Sequence, residues 1–426
     1  MIVFLTLYLG LVSGRQPLYL RADAAVKSIK IVVDGATVAT MKAPPWRLDL
    51  NFGPVLLPHE IAAIGFDAEG HELARATQFA NLPRSHAEID VVVANDGRGV
   101  PVRAALVARH VAHEKVRKAS MKLDDKELAL DKELTAKIPA MDMKRPHVLA
   151  AEVRFADGSA ARREVVFGGQ YAESTQAQLT PIVVTRTADG DAPPAAGCFV
   201  ANGAPLNVRS VETSTANVLI VRDPDARNSY ALARHGSAYL GAQKAIASLE
   251  DGTFAQILSP IPEQLRGDAG ETTLFTPTFT FDASKYGMYY ALASRFGPRE
   301  SSVQRQWADA VAVAGISAVA GGRRRAVVLV LGDARDYSEH SPAVVRRFLE
   351  ALGVPLFVWS IEGPRPDLAT SWGEVDDVST MDKLVEASQR IRRTLAAQRV
   401  VWVTADPLTA LRAKVKDGCG YARIAR

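Results

Sequence analysis

The chain carries two hydrophobic rhythms. Between Ser28 and about residue 170, apolar residues alternate with polar ones in short runs broken by acidic or glycine turns, the period-two pattern of strands with one face in a core. Beyond residue 217 the runs are unbroken: Asn217-Val218-Leu219-Ile220-Val221-Arg222-Asp223, Arg324 to Asp333, Val354 to Trp359 and Arg399 to Val403. A continuous apolar run predicts a strand buried on both faces, and such strands belong to parallel sheets covered by helices. The intervals carry helical spacing. Ser302 to Ala320 places Val303, Trp307, Ala310, Val311, Ala314 and Val319 on one face. Pro342 suits the first turn of a helix that runs to Leu352 and that Gly353 stops. Helices are also expected around Tyr230 to Leu249, over Met381 to Gln398 and after Pro407. Phe254 to Leu258 predicts a strand, and Met288 to Ser294 reads as a strand whose aromatics would equally line a helix.

The N-terminal part reads as one β-unit used twice. The stretches around Asp34-Gly35 and Asp124-Asp125 each give a strand, an acidic turn and a returning strand. Ala62 to Arg75 matches Ala150 to Arg163 in the same sense. Asp34 and Asp124 are 90 residues apart, and Gly70 and Gly158 are 88 apart, so two markers share nearly one offset. Short strands with frequent turns predict tandem β-sandwiches. Ile182 to Thr187 and Cys198 to Ala201 are strand-like runs in a turn-rich stretch. The expected organisation is multidomain, with all-β domains at 1–84 and 85–169, a β-linker at 170–216 and a doubly wound α/β domain at 217–426.

Composition narrows the function classes. Apolar residues are 48% and charged residues 23% of the chain, an ordinary globular balance. The net charge is +4, with Lys and Arg spread among acids, which argues against a nucleic-acid partner. Arg323-Arg324-Arg325 reads as a solvent-facing turn, and the alternating charges of Glu114 to Lys137 as a solvated hairpin or helix face. Met1 to Val12 is apolar and reads either as the core of a signal peptide, though no basic residue stands ahead of the run, or as a first strand, which is favoured; it is too short to span a bilayer, and no other stretch is long enough for a transmembrane helix. Cys198 and Cys419 cannot form a zinc site alone; their spacing leaves pairing open, and the strand context of Cys198 favours a buried thiol. His110 and His113 beside Glu114 lack a zinc motif and a third ligand. Gly236 to Gly241 misses the phosphate-loop pattern, there is no nucleophile elbow, and His59-Glu60 and Asp376-Asp377 read as solvated loop residues, so no enzyme is expected.

Two resemblances add to this. Ala43-Pro44-Pro45-Trp46, with Phe66-Asp67-Ala68-Glu69-Gly70, resembles bacterial immunoglobulin-like domains; Trp46 is expected in the core. In the C-terminal half, Asp223-Pro224-Asp225-Ala226-Arg227 ends the first strand, Leu331-Gly332-Asp333 ends the fourth, and Trp307-Ala308-Asp309-Ala310 opens a helix. This series resembles the von Willebrand factor A domain, and the chain as a whole is similar to bacterial proteins related to it. The resemblance implies an adhesion-type, protein-binding head in the cell envelope or exterior, with a Mg²⁺ site built from oxygen ligands at the carboxyl ends of the strands.

The departures from that pattern decide the expected chemistry. Asp225 and Arg227 stand at the two serine positions and Arg305 at the threonine position, while Asp223 and Asp333 remain. A guanidinium has no lone pair to give a metal and stays charged. The expectation is a degenerate, metal-free rim of Asp223, Asp225, Arg227, Arg305 and Asp333, with ion pairs replacing the cation and no cofactor. Two alternatives stand beside it: a working Mg²⁺ adhesion site on Asp223, Asp225 and Asp333, and a hydrolase that uses the same acids and a metal to activate water.

Overall fold

Asp34 at φ 52° and Asp124 at φ 47° adopt the left-handed conformation that a short acidic side chain tolerates, and each closes a hairpin. The computed structural model describes residues 2–6, 8, 10–82, 87–96, 100–110, 115–124, 126–145, 147–156, 160–168, 171–175, 179–187, 194, 197–223, 247–267, 270–275, 277–293, 304–320, 322–331 and 335–424. The chain divides into two compact units: Met1–Pro83 with Pro181–Trp402 and Leu408–Arg426, and Arg84–Thr180 with Val403–Pro407.

Each unit contains one β-sandwich, and the two sandwiches share one strand order. In the first, the strands Ile2–Phe4, Arg15–Ala22 and Arg47–Asn51 form one sheet, and Ala36–Met41, Ser28–Val33, His59–Phe66 and Glu72–Ala80 form the other, each in that spatial order. In the second, Ala87–Asn95, Pro101–His110 and Thr135–Lys137 repeat the three-stranded sheet. Lys126–Leu128, Val116–Leu123, His147–Phe155 and Ala160–Gly168 repeat the four-stranded one. Tyr171–Thr175, within the stretch expected as a linker, adds a fifth strand there. Leu18, Ile29, Ile31 and Ile61 fill the first core, and Val91, Leu106, Met121, Leu149 and Val153 the second. Trp46 packs against the first core while staying half-buried.

The α/β head carries a six-stranded sheet. Its strands are β1 (Ala216–Arg222), β2 (Thr253–Leu258), β3 (Pro277–Asp282), β4 (Arg324–Leu331), β5 (Leu356–Ser360) and β6 (Val375–Asp377), in the order 3-2-1-4-5-6. All neighbours are parallel except β3, which runs antiparallel at one edge. The helices are α1 (Met288–Ala293), α2 (Trp307–Val319), α3 (Pro342–Leu352), α4 (Pro366–Trp372) and α5 (Met381–Ala397). Alternate residues of the apolar strands face opposite helical layers. Leu219, Val327 and Leu329 pack with α2 and α3, and Val218, Val328 and Val330 with α1 and α5. Gly315 permits the close approach of α2 and α3, because a Cβ there would lie 2.1 Å from a Leu349 methyl group. Leu56 and Leu82 of the first sandwich join the same core cluster as α2 and α3.

Several expectations change. Met288–Ala293 is helical, with Met288, Ala291 and Leu292 buried. The run Arg399 to Val403 is a strand, Gln398–Thr404, but it lies outside the parallel sheet, in a sheet with Val208–Glu212, Leu179–Arg186 and Tyr421–Arg423. Periodicity reports burial and cannot name the partner strand. Arg324 and Arg325 do not face solvent: both are buried at the start of β4. The Arg324 guanidinium meets Glu250 and the carbonyls of Ser214 and Leu395, and Arg325 donates to the carbonyls of Leu352 and Gly353 at the end of α3. Burial, with Arg423 nearby, pushes the Arg325 guanidinium down to about 9. Cys198 is not a thiol but forms a disulfide with Cys419, Cα atoms 5.8 Å apart. His59 is buried rather than solvated, and Asp376 and Asp377 pair with Arg390 and Lys383. The predicted helix around Tyr230 falls mostly outside the described residues, as do Val111 to Glu114 and Gly236 to Gly241.

Candidate functional site

In a sheet of order 3-2-1-4-5-6 the chain turns in opposite directions from β1 and β4, so a crevice opens at their carboxyl ends. Asp223 follows β1 directly into this crevice. Arg305 arrives from the segment ahead of α2, held by a parallel bridge to Asp336 and by donation from Tyr337 N to Arg305 O at 2.8 Å. The two side chains meet as a fork. Arg305 Nε lies 3.0 Å from Asp223 Oδ2 and Nη2 lies 3.4 Å from Oδ1. Their side chains are 6% and 4% exposed, so the pair is removed from solvent. Asp225, Arg227 and Asp333 lie outside the described residues.

A second guanidinium stands beside the pair. Arg222, the last residue of β1, donates through Nε to the Asp223 carbonyl at 3.3 Å and through Nη1 to Ala291 O in α1. Burial lowers its pKa to about 10, Asp223 opposing the shift, and it stays charged at neutral pH. Two buried cations therefore stand close to Asp223.

The other wall is the loop after β4, which caps α2. Asp336 Oδ1 accepts from Trp307 N at 3.0 Å, from Ser338 N at 3.0 Å and from Ser338 Oγ. Ser338 Oγ in turn accepts from Ala308 N at 2.9 Å and Asp309 N at 3.2 Å. The first-turn N–H groups of α2, which no helix can satisfy internally, are thus taken by a loop some thirty residues later. Asp309 binds back to that loop: its carboxylate accepts from Glu339 N at 2.8 Å and from His340 Nδ1 at 2.7 Å. His340 Nε2 reaches Ser13 Oγ of the first sandwich at 3.0 Å.

Sequence reasoning brought Asp223 and Arg305 to one rim and missed Arg222, Asp309, Asp336, Ser338 and His340. The signal for Asp336 and Ser338 was present as an Asp-x-Ser triplet, but it stands after β4 instead of after β1. Nothing local to either segment reveals that one caps the other.

No family model matches the sequence, and neither does any curated protein. Among solved structures, the chain is similar to a von Willebrand factor type A protein from Catenulispora acidiphila, at 11% identity and TM-score 0.25, covering 67% of this chain and 51% of that one. It is also similar to the ArnB paralog VWA2 from Sulfolobus acidocaldarius, at 11% identity and TM-score 0.24, covering 63% and 53%. Fibronectin(III)-like modules of Clostridium thermocellum CbhA match at 10% identity and TM-score 0.17, covering 39% of this chain and 93% of theirs. The chain thus spans about half the length of the two von Willebrand factor A structures. The assignment of an α/β head with β-sandwiches rests on the strand order described above.

Proposed function

We propose that this is a non-catalytic, adhesion-type protein of the bacterial cell envelope or exterior, whose α/β head binds a protein at the carboxyl-end rim without a metal. The observation that carries the reading is the buried fork of Arg305 on both oxygens of Asp223. Magnesium demands near-octahedral oxygen ligands at about 2.0–2.1 Å. Asp223 instead faces a guanidinium that offers no lone pair, and Asp336 Oδ1 already accepts from three donors, Trp307 N of α2 and the N–H and hydroxyl of Ser338. With both oxygens taken by Arg305, Asp223 does not fit a hard cation. Tyr337 supports the protein-binding part: it is 46% exposed on this rim, with the Arg335 guanidinium 5.5 Å from its ring centre. Tyrosine and arginine are the residues that most often anchor protein interfaces. The Cys198–Cys419 disulfide supports an oxidising compartment.

Calorimetric titration of the full chain with Mg²⁺ and Mn²⁺ tests the metal-free claim. No saturable binding is expected; saturable binding that disappears in Asp223→Ala sinks it. Arg305→Ala leaves a buried carboxylate without its fork and is expected to lower stability by about 3–5 kcal/mol in urea unfolding. Partner capture by the full chain is expected to be lost in Tyr337→Asp, and unchanged capture moves the binding surface away from this rim.

A further inference from the structure

The first sandwich carries a cleft that the rim reading does not use. It is an open cavity of about 870 Å³ at the end of the strand Arg15–Ala22, closed by residues 23–27 on one side and 42–47 on the other. That volume falls within the range of ligand sites. Its lining includes two aromatic residues, Tyr19 and Trp46, and four cations, Arg21, Lys27, Lys42 and Arg47, against one acid, Asp23. All four cationic residues are exposed. Backbone bonds fix the frame: Leu20 N donates to Trp46 O at 2.9 Å and Arg47 N to Pro45 O at 2.9 Å. Lys27 Nζ donates to Ala24 O at 3.0 Å, which keeps its ammonium at the mouth.

The second sandwich shows that the fold does not require this chemistry. Its equivalent connection, leading into Thr135–Lys137, reads Ala129-Leu130-Asp131-Lys132-Glu133-Leu134, with two acids, one lysine and no aromatic ring. The same strand order therefore stands with Leu134 ahead of that strand where the first sandwich has Trp46.

We infer that the cleft of the first sandwich binds an acidic polysaccharide, with Trp46 as the platform for a sugar ring and Arg21, Lys27, Lys42 and Arg47 pairing with its carboxylate or sulfate groups. The cation excess selects an anionic ligand. The ring platform and the cavity size select one larger than a bare anion. The Tyr19 ring is already covered by the Arg47 guanidinium at 5.1 Å, so the cleft presents one open platform rather than the succession of rings that stacked bases of a nucleic-acid strand use. Occupancy of this cleft does not depend on what the rim of the head binds.

The test is calorimetry of the full chain with an alginate hexasaccharide, a heparin hexasaccharide, a neutral dextran oligosaccharide and single-stranded oligothymidylate. Saturable binding of the uronate or the sulfated sugar is expected, stronger than that of dextran or oligothymidylate and weakened by salt. Alginate against heparin distinguishes carboxylate from sulfate as the recognised group. Lys42→Glu with Arg47→Glu is expected to weaken binding by about tenfold or more. Trp46→Ala is expected to do the same, with retained circular dichroism as the folding control, and Lys132→Glu in the second sandwich is expected to change nothing. Absence of binding to both acidic sugars overturns the inference. So do equal binding by the charge-reversed variant, and tighter binding of oligothymidylate.

Discussion

The two β-sandwiches are built on one frame and differ in what surrounds it. Asp34 Oδ2 meets His59 Nδ1 at 2.7 Å and its Oδ1 accepts from Glu60 N at 2.9 Å. Asp124 Oδ2 meets His147 Nδ1 at 2.6 Å and its Oδ1 accepts from Val148 N at 2.9 Å. In both, the aspartate N–H donates to the carbonyl of the residue after the histidine, at 2.9 Å. Each brace ties a hairpin turn to the start of the strand that neighbours the hairpin in the sheet. Yet the Asp34 side chain is 23% exposed and the Asp124 side chain 45%, and the unit holding the first sandwich also holds the chain's two cysteines, joined as a disulfide. A repeated frame can therefore be kept while burial, cross-linking and surface chemistry diverge around it.

The largest effect that would sharpen this contrast is reduction. Cys198 and Cys419 are 221 residues apart, so their bond removes about 5 kcal/mol of unfolded-chain entropy from a loop that, apart from Val403–Pro407, lies within one unit and excludes Arg84–Thr180. Cys198→Ser with Cys419→Ser is expected to lower one thermal transition and leave the transition of Arg84–Thr180 in place. A shared downward shift of both would break the contrast.

Next in size are the braces. Asp34→Ala removes acceptors from a buried histidine and from Glu60 N, at about 2–3 kcal/mol. Asp124→Ala opens a site that water reaches, at about 1 kcal/mol. Urea unfolding of the two variants measures the difference, and equal losses would show that burial does not separate the braces.

The smallest effect is the pH dependence of the second brace. The hydrogen bond to Asp124 raises the His147 pKa, with the Asp142 carbonyl adding to it. Its stabilisation is therefore full below the ordinary imidazole range and is lost as pH rises through the elevated value. Burial pushes the Asp124 carboxyl up, but the hydrogen bonds from His147 and Val148 N outweigh it and hold it low. That stabilisation is present above the ordinary carboxylate range and is lost as pH falls through the lowered value. The unit's unfolding free energy, read by urea titration, is expected to be highest between the two ranges, by less than about 1 kcal/mol given the exposure. His147→Gln is expected to flatten the profile, and an unchanged profile would remove the brace from the pH response.

Much of this architecture was legible in the residues themselves. The unbroken apolar runs at Ala216–Arg222 and Arg324–Leu331 can satisfy their side chains only between two helical layers, and the 90-residue offset of Asp34 and Asp124 marked the repeated hairpin. Local chemistry sufficed because burial period and turn geometry act over a few residues. Tertiary structure alone decided which strand joins which sheet, as with Gln398–Thr404. It also decided that Arg324 and Arg325 are buried against helix-end carbonyls and that Asp336 and Ser338 cap α2. It set the two oxygens of Asp223 against Arg305, 82 positions later. A guanidinium, a carboxylate and a free N–H each accept many partners, so their pairing is fixed by where the folded chain brings them and by the cost of leaving any of them buried and unmatched.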